Sequence, residues 1–256
     1  MTETVPSRGL DDQGYIAREG TLGRVARDFR PVVAAARDRL LDVFGARLDS
    51  AYLYGSIPRA EPTEADRADA RALDEALDKE FAQIDGAGTL LSSRGRLLSD
   101  LETYDGGWFV ACLCTPLLGD DLAEYLPRYR PDTLLARETN GDLGLLLPQW
   151  RARIDGADDS DDARRPLVRF MSRRLVRTGF TLVMPRWGGW TSDLGEMAEA
   201  FGTYYPARAE QLRRAAVLGD EPTGDAGVLR SYVEDLGPWL TEEYARVHGV
   251  KAARPD

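Results

Sequence analysis

The chain has 256 residues, enough for one large domain or two modest ones with a proper hydrophobic core, and it needs neither disulfides nor a metal to fold. With 43% hydrophobic and 30% charged residues its composition is neither disordered nor membrane-embedded, and a net charge of −10 excludes non-specific attraction to nucleic acid without a local basic patch. One histidine, His248, and two cysteines, Cys112 and Cys114, exclude zinc sites built on two or three histidines, so metal chemistry would fall to oxygen ligands of the magnesium type.

Met1 to Asp12 carries Glu3, Asp11 and Asp12 and has no apolar core of a secretory signal. The apolar stretches Trp108–Cys114 and Phe180–Met184 fall short of the ~20 residues that span a bilayer. The expectation is a cytoplasmic protein with no membrane and no nucleic-acid partner. Residues 1–20 read as a loosely ordered lead-in.

Pro31 opens the first predicted helix, with Val33, Ala36, Leu40 and Phe44 on one face and Gly45 as its stop. Asp49 to Tyr54 alternates and is aromatic, a strand running into Gly55-Ser56. Thr63 caps a second helix whose buried face reads Ala70, Leu73, Leu77 and Phe81, with Asp85-Gly86 as its end. Gly88 to Ser92 is a short strand candidate, and a polar helix or turn with Leu97, Leu98 and Leu101 follows. Trp108 to Leu118 fits strand and helix equally, its two cysteines reading as buried free thiols.

Pro127, Pro131 and Pro148 then punctuate leucine-rich helical patterns, and five aspartates in the eight residues 155–162 mark an exposed acidic loop. Beyond it Leu167, Met171, Leu175 and Leu182 line one helix, and Asp193 with Glu196 makes a capping-box-like start for another. Pro206 opens a third, and Leu229, Val233, Leu236, Leu240, Tyr244 and Val247 line a fourth, with His248 as a cation suited to its last turn.

The strand Tyr52-Leu53-Tyr54 followed by Gly55-Ser56 and Ile57-Pro58-Arg59 resembles the opening motif of the nucleotidyltransferase superfamily. Glycine lets the backbone approach a phosphate, and a serine at a helix start can offer hydroxyl and N–H donors to it. The same residues also fit a plain strand-to-helix turn with a capping serine. The order of Ser172-Arg173, the helix from Asp193 to Phe201, Tyr205-Pro206 and Ala215 to Gly219 is similar to the helical half of aminoglycoside adenylyltransferases of the streptomycin/spectinomycin type, over most of residues 30–248.

The resemblance implies an α+β protein: a truncated nucleotidyltransferase-like mixed sheet with helices over 21–105, followed by an all-α helical bundle over 106–256. It implies ATP and Mg2+ as cofactors, transfer of a nucleoside monophosphate to a hydroxyl of a small, aminoglycoside-like acceptor, and a nucleotide held at Gly55, Ser56 and Arg59. Two-metal catalysis needs paired carboxylates on the strand after Gly-Ser. Here only Ala60 separates Arg59 from Glu61, so the Asp-x-Asp strand is missing. Glu61, Glu64, Asp66 and Asp69 sit at a helix start, where acids suit the dipole, and Asp85 is the one substitute for the family's third acid.

Asp161 and Asp162 stand where the resembling enzymes hold a polycationic acceptor, and they also fit a solvated linker. Trp187 and Trp190, around Gly188-Gly189, fit an aromatic wall for a base or sugar as well as a packed turn. A catalytically degenerate binding or antitoxin-like protein is the alternative reading, and a sheet edge bared by the lost strand would invite a homodimer.

Overall fold

The computed structural model describes residues 8–58, 63–84 and 86–253, most of them helical, with one small sheet. The α+β class holds. The contacts divide the chain into a sheet unit, Ile16–Tyr129, and a helical unit formed by residues up to Tyr15 with Arg130–Asp256. The division falls at 129/130, later than the change of sequence character at Trp108.

In the sheet unit α1 (Arg30–Phe44) starts on Pro31 and stops at Gly45, whose φ of 47° suits glycine. It leads into β1 (Leu48–Leu53), which turns directly into β2 (Gly55–Pro58). α2 (Glu64–Glu80) follows, begun by a reciprocal capping box between Thr63 and Asp66. Next come α3 (Arg94–Leu97), a 3-10 turn, a π turn over Thr103–Gly107 and α4 (Trp108–Cys112). β3 (Thr115–Gly119) completes the sheet, so the ambiguous apolar run is a helix and then a strand.

The sheet order is β2-β1-β3 and both pairings are antiparallel, which corrects the expected mixed sheet. Only Tyr54 lies between β1 and β2, and a parallel neighbour needs a crossover of about a dozen residues or more. Gly88 to Ser92 is not a strand either. Thr89 donates its backbone N–H to Asp74 at 2.9 Å and its hydroxyl at 2.6 Å, which straps the segment to α2.

β1 is covered on both faces. Leu48 and Ala51 join Leu40, Phe44, Ala70, Leu73 and Leu77 in one cluster, while Tyr52 joins Leu97, Val110, Cys114 and Leu122 in another. Residues an odd step apart normally face opposite ways; the bulge between Leu48 and Ser50 lets Leu48 share a face with Ala51. Gly119, at φ 73°, closes the β3 pairing where an added Cβ would lie 2.0 Å from the Asp49 carbonyl oxygen.

The helical unit holds α5 (Thr133–Asn140), α6 (Leu143–Asp155) and the 27-residue α7 (Asp161–Trp187). α8 (Leu194–Tyr204) and α9 (Ala209–Asp220) pack against α7. α10 (Ala226–Ser231) passes through a π turn, Tyr232–Leu236, into α11 (Gly237–His248). Every residue of α7 from Thr178 to Met184 is buried, the pattern of a helix enclosed on all sides.

The described part of the lead-in is not loose, because Trp190 donates its backbone N–H to the Arg8 carbonyl at 2.8 Å and Ile16 is buried. His248 does end α11, as expected, but not as a solvated cation: it is buried, its Nε2 lies 2.9 Å from the Leu182 carbonyl oxygen, and burial pushes its pKa down. Among the described residues no helix is long and apolar enough to cross a membrane.

Candidate functional site

Gly55 and Ser56 lie in β2, paired with Tyr52 and Ala51, and the next described helix starts only at Glu64. The expected strand-to-helix phosphate cradle is therefore a strand-to-strand hairpin. Arg59 and Asp85 lie outside the described residues.

The hairpin presents a residue that sequence reasoning assigned only to a strand. Tyr54 has φ 99°, a region that costs L residues about 1–2 kcal/mol, and its side chain is 73% exposed. Its ring meets that of Phe109 of α4 in an edge-type contact, centroids 5.8 Å apart, and stays largely exposed. A strained, exposed aromatic beside a glycine suits a stacking platform. Its signal in the sequence was an aromatic directly before Gly-Ser, where a two-residue turn favours glycine.

Several carboxylates of the sheet unit are paired with arginines. Arg94 pairs with Asp49 at 2.9 Å and lies 3.9 Å from Asp120, its guanidinium over the Tyr125 ring. Arg18 forks onto Asp121 at 2.6 and 3.0 Å, and Asp121 also meets the Tyr52 hydroxyl at 3.3 Å. Burial pushes the Tyr52 hydroxyl up to about 12, and it accepts the Leu122 N–H at 2.6 Å. Asp66 bonds the Thr63 N–H and hydroxyl and pairs with Arg47, which hold its pKa down. Asp69 lies 3.3 Å from the same Arg47.

Among the described residues no group of three or more His, Cys, Asp or Glu could hold a metal ion. Two-metal transfer needs free carboxylates converging on one point. No such cluster occurs among the described residues, which therefore do not fit the magnesium ions that the resemblance implies.

The expected acceptor residues do not form one site. Asp161 and Asp162 open α7 behind the Ser160 cap, and Trp187 ends it, ~39 Å away at 1.5 Å per residue. Asp161 pairs with Arg164 at 2.9 Å, and Arg164 also holds Asp159. Trp190 is 5% exposed and packs edge-on against Phe180, so its ring is a core anchor and not a wall. Trp187 touches Phe180 too and carries the Arg8 guanidinium 5.1 Å above its ring. Ser172 bonds Tyr232 at 2.8 Å in the core, and Arg173 ties α7 to the end of α9 through Gly219 and Asp220.

Sequence reasoning also missed a cluster beside the C-terminal end of α7, where Arg186 reaches the Tyr205 hydroxyl at 3.3 Å. Tyr205 stacks on Phe201, with Trp239 edge-on to both, and its hydroxyl donates to Glu243 at 2.6 Å. Arg246 first, then Tyr205, hold the Glu243 carboxyl down at about 2. These side chains satisfy one another and join α8 to α11. No protein-family model matches this chain, and comparison with curated proteins and with solved structures returns no match either.

Proposed function

We propose that this chain is a nucleotidyltransferase-type protein that holds a nucleotide at the tip of β1 without carrying out metal-assisted transfer. The ancestral reaction under this reading moves a nucleoside monophosphate from ATP to a hydroxyl of a small, aminoglycoside-like acceptor. The observation that carries the reading is Tyr54, an exposed aromatic held at φ 99° directly before Gly55-Ser56. Its exposed ring suits a base, and the glycine next in sequence leaves room for a phosphate. The step that two metals would assist has no support in the described carboxylates, so none is assigned here.

Calorimetric titration with a non-hydrolysable ATP analogue, with and without magnesium, tests this. Binding is expected without magnesium, weakened roughly five- to hundredfold in Tyr54→Ala, since stacking on an aromatic is worth about 1–3 kcal/mol per base. Ser56→Ala is expected to weaken it further. A strict magnesium requirement would instead restore the two-metal reading.

A second reading, a non-catalytic protein that binds a partner through its sheet unit, is favoured by the large apolar side chains exposed there. Tyr54, Leu90, Leu101 and Tyr125 are each more than half exposed, at 73, 66, 64 and 58%. It takes over if the unsubstituted chain gives no heat with the nucleotide.

A further inference from the structure

One pocket in the sheet unit belongs to neither reading. It opens between a short 3-10 turn, Leu22–Arg24, the first half of α1 and β3, with a volume of about 220 Å³. Leu22, Val25, Val33, Ala34 and Leu117 line it with hydrocarbon, and among the described residues its charged lining groups are Arg30 and Arg37. Drug-sized ligands occupy about 300–1,000 Å³, so this pocket takes something the size of a fragment.

The two arginines set the head group. Arg30 donates Nε to the Val25 carbonyl at 3.4 Å, which leaves the guanidinium with no carboxylate partner among the described residues. Arg37 turns its Nε and Nη2 to Asp38 at 3.1 and 3.0 Å, so its Nη1 stays available. They lie seven residues apart on α1, two turns along one face, each next to apolar lining. A chain of net charge −10 that sets two guanidiniums beside an apolar hollow, Arg30 with no carboxylate partner among the described residues and Arg37 shared with Asp38, is complementary to an anion with a hydrocarbon body.

We propose that this pocket binds a small amphiphilic monoanion, a short-chain or aryl carboxylate. Its apolar part would lie against Val25, Val33, Ala34 and Leu117, and its carboxylate would accept from Arg30 and Arg37. The contact between Arg30 and Val25 also ties the turn to α1, so an occupant would hold the turn in place.

Hexanoate is the probe, with hexanamide as its neutral counterpart, followed by calorimetry and by methyl NMR of Val33 and Leu117 on the full chain. Hexanoate is expected to bind one to one and to shift those methyls, with hexanamide at least tenfold weaker. The double variant Arg30→Gln/Arg37→Gln, altered only at exposed positions, should lose at least tenfold in affinity. Ala34→Phe, which fills the hollow, should abolish the shifts, with circular dichroism to confirm its fold. Absence of hexanoate binding, equal binding of hexanamide, or undiminished affinity in the arginine variant would each overturn the proposal. Added ATP analogue should leave hexanoate affinity unchanged.

Discussion

Two residues carry consequences that single substitutions can read. Tyr54 combines ring contact with backbone strain, and comparing two truncations separates them. Tyr54→Ala and Tyr54→Gly both lose the contact with Phe109, but only glycine relaxes at φ 99°. The glycine variant should therefore be the more stable by about 1 kcal/mol in urea unfolding, the reverse of the usual order. Equal midpoints would mean that the turn is unstrained. His248 makes the second case. Its neighbours are the Leu182 carbonyl, the Tyr244 ring and the charge of Arg186, and its Nδ1 is buried without a partner. Its folded pKa lies below the ordinary ~6.5, so the unfolded chain takes the proton first. Stability from this group is complete above about pH 6.5 and falls as the pH drops below it. Melting followed from pH 7.5 to 5 should show that loss in the wild type and less of it in His248→Phe; parallel curves would exclude His248 as the source.

Among the elements, α1 and α2 were legible because their signals are local. Pro31 and Gly45 bracket the first, and Thr63 with Asp66 starts the second over a face of Ala70, Leu73 and Leu77. Thr63→Ala should cost about 1 kcal/mol, read from the thermal midpoint, and a cost near zero would deny the cap any role. The hairpin was not legible. A strand running into Gly-Ser reads the same whether helix or strand follows, and pairing with β1, decided by contacts beyond the turn, settles it. The segment 88–92 failed for a related reason: Asp74, far upstream, takes the N–H and hydroxyl of Thr89 that a strand at that position would have kept. The acids 161–162, expected in an acidic loop, instead form the first turn of α7, and the length of that helix, which carries them away from Trp187, only emerges once Pro166 and Pro185 prove to lie inside it.

At the scale of the whole molecule, each unit has its own buried core, so protection from solvent should differ between them. Amide hydrogen exchange is expected to be slowest over residues 178–184 of α7, enclosed on all sides, and faster over the irregular stretch 86–92 of the sheet unit, apart from the amides of Ala87 and Thr89 that Asp78 and Asp74 hold. A single common rate for both units would show that they open together. Both cysteines of the chain lie in the sheet unit, buried, and burial pushes each thiol up to about 12. Such thiols are inert while folded, because the thiolate is the reactive form. The protein thus carries a built-in clock: the rate at which a thiol-reactive dye colours it counts openings of the sheet unit, where both thiols lie.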